Sequence, residues 1–471
     1  MSVSTLSVST DRPVVIVSNR GPLSYSWVDG ELVGRRGAGG LVSGLAPLVE
    51  DGRATWIAAT LSDGDRAAAA AGPTAADGLA VQMLAVDPED HRLAYDAISN
   101  ETLWFLHHGL FDLTRSPSFR DSWWLAWEAY RRVNAAYAAE VCSTAPEGAA
   151  VLVQDYHLTL LAPIVADARP DLSLVHFHHT PFAGPDNMRV LPAAARQELL
   201  SSLAAHHACG FHTVDWATNF TDDVARWAAP ESRGDRGTAK VFASSLSTDP
   251  DDIRATARSA ECEQQFRTLD DLVADRRLIV RIDRMELSKN IVRGFQAFDD
   301  LLEHRADLRE RVIFLACCYP SRESVPAYAQ YRAEVEAAAA AVNDRWATDG
   351  WTPVMLETDD DYPRSVAALR RYDVLMVNPI RDGLNLVAKE GPLVNERSGQ
   401  LVLSTEAGAW AELAPGAFGV NPFDLSQTSA MLAAALDLQA PDRTERATAL
   451  RRLVERRTPA DWLADQIAAA G

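Results

Sequence analysis

The chain has 471 residues, 47% of them hydrophobic, so it can bury a large core, and its length favours two or three domains over one. A formal net charge of −20 argues against nucleic acid and anionic membrane as partners, since both reward an excess of Lys and Arg; an anionic ligand must meet a local basic clamp. The five cysteines, Cys142, Cys209, Cys262, Cys317 and Cys318, lack C-x-x-C spacing, so neither disulfides nor a zinc knuckle are expected, and the thiols should be reduced and mostly buried.

The opening MSVSTLSVSTDRP has no basic n-region and no apolar h-region, and no apolar run approaches ~18 residues, which predicts a soluble cytoplasmic protein. The first strand signal is PVVIVS (13–18), which ends at Ser18-Asn19-Arg20-Gly21. A loop then brings Arg35-Arg36-Gly37-Ala38-Gly39-Gly40-Leu41, where glycines allow backbone to approach a phosphate or sugar and a helix from Leu41 to Leu48 would aim its N-terminus at it. The same residues also suit an ordinary strand-to-helix turn. Tyr95 and Trp104, in YDAISNETLW, can wall a sugar ring or simply join the core. The run SWWLAWEAYRRVNAAYAAEVC repeats apolar residues at helical spacing.

AVLVQ (150–154) reads as a strand ending at Asp155, a carboxylate placed either to accept hydroxyl hydrogens or to cap the helix LTLLAPIVADA. LSLVHFH (172–178) is a strand whose tip carries His176, His178 and His179; without a nearby Asp, Glu or Cys to complete a set, a metal site is not expected. The stretch 228–262, rich in charge, Gly, Pro and Ser, predicts a domain junction near 244–256.

RLIVRID (277–283) opens a second series and places Arg284 and Lys289 in its following loop, where two cations suit a nucleotide diphosphate or a solvated turn. RVIFLAC (311–317) follows, with Arg322 just beyond it. Helical spacing returns in YAQYRAEVEAAAAAVNDRWA. VLMVNP (374–379) leads into NPIRDGLNLVAKE: Asp382 and Gly383 turn the chain, and Leu384, Asn385 and Leu386 can present backbone N–H groups at a helix start, a ready anion site. QLVLST (400–405) is the last strand signal, and the closing helix TPADWLADQIAAA can fold back as a brace.

Strands alternating with helices predict an α/β chain of two open parallel sheets, the carboxyl ends of their strands facing each other across a cleft. The expected boundaries are 1–248 for an N-terminal domain and 249–455 for a C-terminal one, with a helix in 456–471 placed so that it can cross back.

The order and spacing of SNRGPLSY, GAGGL, SNETLW, VQDYHL, HHTPF, GFHTVDWATNF, DRMELSK, YPSRESVPAY, RDGLNLVAKE and LSTEAGAWAEL resemble one family, the retaining trehalose-6-phosphate synthases, over nearly the whole chain. The resemblance implies the GT-B glycosyltransferase fold, two Rossmann-like domains with parallel sheets facing across a deep cleft, and a two-substrate reaction, with a nucleotide sugar as donor and a sugar phosphate as acceptor. It implies no cofactor and no metal. It places acceptor binding on Arg20, Tyr95, Trp104, Asp155 and Arg322. Donor binding falls on Gly40, His179, Arg284, Lys289, Asp382, the backbone of Leu384, Asn385 and Leu386, and Glu390 at the ribose; Arg284, Lys289, His179 and Asp382 match the catalytic set. The N-terminal domain would bind the acceptor and the C-terminal domain the donor.

Three segments depart from the family pattern. TWIAATLSD keeps Trp56 but has Ala59 and Thr60; PFAGPD has Ala183, Gly184 and Asp186; MELSKN has Glu286 and Asn290. The SKN and WIAA variants and the Ala-, Arg- and Asp-rich usage resemble the actinobacterial branch, where GDP-glucose users are known, so GDP-glucose is favoured over UDP-glucose. Two alternatives are a pseudo-glycosyltransferase joining a nucleotide-linked cyclitol to an aminocyclitol phosphate, and a non-catalytic glucose 6-phosphate sensor. Retention of Arg284, Lys289 and Asp382 disfavours the sensor. A homo-oligomer is compatible with the sequence, which does not fix the oligomeric state.

Overall fold

A strand buried on both faces needs apolar side chains at successive positions, and the Val-, Ile- and Leu-rich runs supply them. The computed structural model describes residues 12–28, 30–36, 45, 54–71, 74–76, 79–229, 239–322 and 325–471. The chain divides into two compact units, Met1–Leu246 with Thr458–Gly471, and Ser247–Arg457.

The first unit holds β1 (Val14–Ser18), β2 (Leu23–Val28), β3 (Glu31–Arg36), β4 (Ala54–Ala59), β5 (Thr74–Ala76), β6 (Leu79–Leu84), β7 (Ala150–Gln154), β8 (Ser173–His178), β9 (Ala208–Phe211) and β10 (Lys240–Ala243). β2 and β3 form a separate hairpin, and the others make one sheet in the order β10-β9-β8-β7-β1-β4-β6-β5. It is parallel except for β5. The chain builds outward from β1 through β4 and β6, then returns to the other side of β1 at β7. That reversal puts the carboxyl ends of β1 and β7 side by side at the switch point where open α/β sheets bind ligands.

The second unit holds β11 (Arg277–Arg284), β12 (Val312–Tyr319), β13 (Val354–Glu357), β14 (Val374–Val377), β15 (Gln400–Ser404) and β16 (Phe418–Val420). Its sheet order, β13-β12-β11-β14-β15-β16, is that of the dinucleotide-binding fold, and every pairing is parallel. Its switch point lies between β11 and β14.

The strands expected from long apolar runs are present within a residue or two of their predicted limits. β4, β6, β9, β10, β13 and β16 carried too weak a signal, being short or diluted by Ala, Gly and polar residues. The expected junction 244–256 holds more regular structure than its composition suggests: Asp249 caps a helix over Pro250–Ala257, and Ser259 caps another over Ala260–Val273. LTLLAPIVADA is not one helix. A short 3₁₀ turn, Tyr156–Leu158, precedes the helix Ala162–Ala168, because Pro163 fits only the first turn of a helix.

The closing helix Pro459–Ala469 starts with a Thr458–Asp461 capping box and packs in the first unit. Trp462, fully buried, meets the Phe177 ring edge-on at 5.1 Å, and Gln154 Nε2 donates to Gln466 Oε1 at 3.0 Å. Arg12 fastens the terminus by donating to the carbonyls of Ala470 (3.1 Å) and Gly471 (2.9 Å). Four cysteines are buried and Cys142 is half-buried. Among the described residues, no helix is long and apolar enough to cross a membrane.

Candidate active site

At the end of β1 the chain is fastened from three sides. Trp56 Nε1 donates to Ser18 Oγ (2.7 Å), which donates to the Arg20 carbonyl (2.6 Å), while Tyr137 Oη donates to the Ser18 carbonyl (3.0 Å). Asn19 Oδ1 lies 3.1 Å from His91 Nε2. The backbone of Arg20 is thus fixed, whereas its side chain is exposed and its guanidinium has no hydrogen-bond or ion-pair partner among the described residues. An unpaired arginine held at a switch point is free to meet an anion.

Asp155 follows β7, the neighbour of β1. It stands at the N-cap of the 3₁₀ turn Tyr156–Leu158 without a side-chain cap hydrogen bond to it, and its Oδ1 accepts from the His179 N–H at 3.2 Å. Its backbone has φ 68° and ψ 172°, a region almost reserved for glycine that costs roughly 1–3 kcal/mol for other residues. Keeping an aspartate there points to a use for its carboxylate.

His179 is hydrogen-bonded through Nε2 to Gln154 Oε1 at 2.9 Å. Because the Gln154 amide already donates to Gln466, its oxygen faces His179, so Nε2 carries the hydrogen and Nδ1 is left as an acceptor. Burial pushes the imidazole pKa down to about 3, and the ring is neutral at physiological pH. It can orient a hydroxyl but cannot contribute a positive charge. His176 and His178 stay behind the strand tip, buried, with Nε2 and Nδ1 at 3.4 Å.

Tyr95 and Trp104 differ in placement. Tyr95 lies in a wide, π-type helical stretch, Leu93–Leu103, half-buried between the rings of His91 (5.6 Å) and His157 (5.8 Å). Trp104 is buried in the core of the unit and stacks on His108 at 3.9 Å. Gly40 lies outside the described residues, as does the expected Leu41–Leu48 helix apart from Leu45.

In the second unit the loops after β11 and β14 meet. Lys289 Nζ lies 2.6 Å from Asp382 Oδ2 and 4.0 Å from Asp283 Oδ1. Burial works against the ammonium charge, but Asp382 and Asp283 outweigh it and leave the Lys289 pKa above its ordinary value. Ile380 N donates to the Ser288 carbonyl (2.8 Å), and Asn290 Nδ2 donates to the carbonyls of Asn378 (3.0 Å) and Pro422 (2.8 Å). Asn290 itself sits at φ 61°, a left-handed position that Asn tolerates better than most residues.

Arg284 and Arg322 share the fully buried Glu286, whose Oε1 lies 2.5 Å from one guanidinium and 3.4 Å from the other. Arg284 remains 40% exposed at its side chain, so an incoming anion can compete for it.

Beyond Asp382, Asn385 takes φ 82° and turns its amide back, donating from Nδ2 to Asp382 Oδ2 (3.2 Å) and accepting from Ala388 N (3.2 Å). It thereby satisfies one of the open donors of the helix Val387–Val394. The backbone N–H groups of Asn385 and Leu386 have no acceptor among the described residues, whereas that of Leu384 reaches Asp382 Oδ1 at 3.4 Å. One turn on, Glu390 is half-buried; burial and then the charge of Asp252 raise its pKa to about 7.

Glycosyltransferase family 20 matches residues 12–470. The trehalose-6-phosphate synthase of Mycolicibacterium smegmatis is 32% identical over 488 residues, covering 99% of this chain and 94% of its own. This chain belongs to glycosyltransferase family 20.

Two solved structures of trehalose-phosphate synthases are similar over nearly the whole chain. An α,α-trehalose-phosphate synthase (UDP-forming) from Burkholderia vietnamiensis has a TM-score of 0.84 at 28% identity, over 97% of this chain and 99% of that one. One from Burkholderia xenovorans in complex with glucose-6-phosphate has a TM-score of 0.83 at 28% identity, over 97% and 99%. The architecture is thus that of a GT-B glycosyltransferase.

As a family 20 glycosyltransferase, the chain presents its expected site residues in two groups. Arg20, Tyr95, Trp104, Asp155 and His179 belong to the first unit. Arg284, Lys289, Arg322, Asp382, Leu384, Asn385, Leu386 and Glu390 belong to the second. The expected acceptor set is therefore divided, with Arg322 in the second unit, and His179 of the expected donor set is in the first. The second group can do what a bound metal does for a diphosphate: supply positive charge and directed donors where negative charge grows. Sequence reasoning did not single out Asp283, Gln154, Gly408 or Arg281. Charges inside the apolar strand run RLIVRID were the one available signal, for Arg281 and Asp283.

Proposed function

We propose that the protein makes α,α-trehalose 6-phosphate by transferring glucose from a nucleoside-diphosphate glucose to glucose 6-phosphate with retention at the anomeric carbon. The observation that carries this reading is the Lys289–Asp382 contact at the switch point of the second sheet, beside the open N–H groups of Asn385 and Leu386. The donor diphosphate takes Arg284, Lys289 and the two N–H groups, each charge-assisted bond being worth roughly 1.5–3 kcal/mol. Asp382 accepts from the hydroxyls of the transferred glucose, and Glu390 from the ribose diol. Gly40 completes the diphosphate contacts, and His179 offers Nδ1 to a glucose hydroxyl. Arg20 and Arg322 bind the acceptor phosphate, Asp155 its sugar hydroxyls, and Tyr95 and Trp104 flank its ring.

Retention fits this set because Asp382 is engaged by Lys289 and Asn385 rather than free to attack. The departing diphosphate then takes the proton of the acceptor hydroxyl on the face it leaves. The protein's part is to align the two substrates, which can supply roughly 7–11 kcal/mol of the barrier, and to stabilise the leaving charge. We place GDP-glucose ahead of UDP-glucose as donor; the support is the likeness to the actinobacterial branch, and the Burkholderia relatives described as UDP-forming put both in the test. UDP-, GDP- and ADP-glucose are each incubated with glucose 6-phosphate, and released nucleotide and product mass are measured. A product with the mass of trehalose 6-phosphate is expected, fastest with GDP-glucose. Failure of all three donors overturns the reaction, and faster turnover with UDP-glucose overturns the base preference.

Glu390 makes donor binding pH-dependent. Its pKa near 7 leaves about a tenth of the carboxylates ionised at pH 6 and about nine tenths at pH 8. The ionised form is the better acceptor for a diol, so the donor KM should fall as pH rises through 7. Glu390→Gln should raise the donor KM and flatten that dependence; an unchanged pH profile would remove Glu390 from the donor site.

A further inference from the structure

Arg281 lies in the middle of β11, a central strand whose neighbours are apolar, and is fully buried. A guanidinium in such a position is costly unless its hydrogens are placed. Arg281 places them on the parts of the fold that carry the proposed diphosphate clamp. Its Nε donates to Asp283 Oδ2 at 2.8 Å, and one terminal nitrogen donates both to the Lys289 carbonyl and to Asn378 Oδ1 at 2.6 Å. Lys289 is the clamp cation, and Asn378 begins the loop that carries Asp382. Asp283, the guanidinium's counter-ion, reaches back to Lys289 Nζ at 4.0 Å. Positive and negative charges thus alternate along Arg281, Asp283, Lys289 and Asp382.

The space for this arrangement comes from Gly294. A Cβ at that position would lie 2.4 Å from Nη1 of Arg281, the terminal nitrogen that has no hydrogen-bond partner among the described residues. The strand could bury an aliphatic side chain at position 281 and keep its packing. What an aliphatic residue cannot do is hold two loops, ninety residues apart in sequence, through one planar group.

We infer that Arg281 is a positioning residue for donor turnover: without touching the substrate, it fixes the backbone of Lys289 against Asn378 and supplies the charge that balances Asp283. This rests on the proposed donor site. A misplacement of about 1 Å in a clamp can cost about a hundredfold in rate, and Arg281 is the group that would permit it if lost.

The test uses the full chain carrying Arg281→Met, Arg281→Lys, Lys289→Met and the double variant Arg281→Met/Lys289→Met. Melting temperature, binding of UDP and GDP, and kcat and KM for each substrate are measured. Arg281→Met should weaken nucleoside diphosphate binding about tenfold and lower kcat about a hundredfold with the acceptor KM unchanged. Arg281→Lys, which keeps the charge and loses the fork, should fall between it and the parent. In the double variant, losing Arg281 should add little to losing Lys289, because the two act as one unit. Additive losses, or losses that follow the melting temperature with no change in nucleotide binding, would mean a structural role alone and overturn the inference. If Arg281→Met fails to fold, Arg281→Lys carries the test: binding and kcat equal to the parent's would overturn it. A parent protein that binds neither nucleotide would overturn the donor site itself, and with it the role of Arg281.

Discussion

Lys289→Ala is expected to lower kcat/KM for the nucleotide sugar by about 10³-fold, read as nucleoside diphosphate released in the presence of glucose 6-phosphate. The ammonium is mostly buried, with 13% of its side chain exposed, where its attraction to a leaving diphosphate is weakly screened. Removing one such pre-placed group typically costs about 3–4 kcal/mol of transition-state stabilisation. The change also takes from Asp382 its cation, while Asp283 keeps Arg281, so the melting temperature should fall, since breaking a buried pair by removing one partner costs about 3–5 kcal/mol. Lys289→Arg separates the two effects. It restores the charge and most of the stability, but a planar fork cannot reproduce a point contact with Asp382, so only part of the rate should return. Near-normal turnover in Lys289→Ala would remove the clamp assignment.

Gly408→Ala should also damage donor turnover, without altering any group proposed to touch a substrate. A Cβ there would lie 2.0 Å from the Gly383 carbonyl oxygen, 2.7 Å from its carbon and 3.0 Å from Leu384 Cα. All three are backbone atoms, so no rotamer change relieves the overlap. The same residues tie the two loops together, Gly408 N to the Asp382 carbonyl at 3.0 Å and Ala409 N to the Leu384 carbonyl at 2.7 Å. Relief must come from the Asp382–Leu384 turn moving about 1 Å or more, which displaces the Asp382 carboxylate, proposed to hold the donor glucose, and the proposed diphosphate donors together. A loss of about a hundredfold in donor turnover is expected. Acceptor binding, read by calorimetry with glucose 6-phosphate, should persist, because Arg20, Tyr95, Trp104, Asp155 and Arg322 lie outside that turn. Unchanged donor kinetics would show that the turn does not hold the donor.

Several placements needed only the sequence. The apolar runs 13–18, 150–154, 277–283 and 374–379 located the strand ends Ser18, Gln154, Arg284 and Val377 to within two residues, and the polar groups near them are where loops can carry a site. Ladder pairing demands such runs, so their ends are visible locally. The two-sheet α/β class followed from their alternation with helical stretches, and the family from motifs spread over the chain.

Other features depend on which strands become neighbours. That Lys289 meets Asp382 follows from β11 pairing with β14, a contact across 93 residues that no local pattern specifies. That Trp104 is largely buried and stacks on His108 is not visible in YDAISNETLW either. The strained backbone of Asp155, the close approach that requires Gly408, and the fork of Arg281 across two loops are likewise set by tertiary contacts. The sequence by itself determined the strands built from long apolar runs, the fold class and the chemical inventory of the loops, because hydrophobic periodicity and turn chemistry are local. Only the tertiary structure decided which of those groups stand within hydrogen-bonding distance, because that depends on sheet order and on what is buried between distant segments.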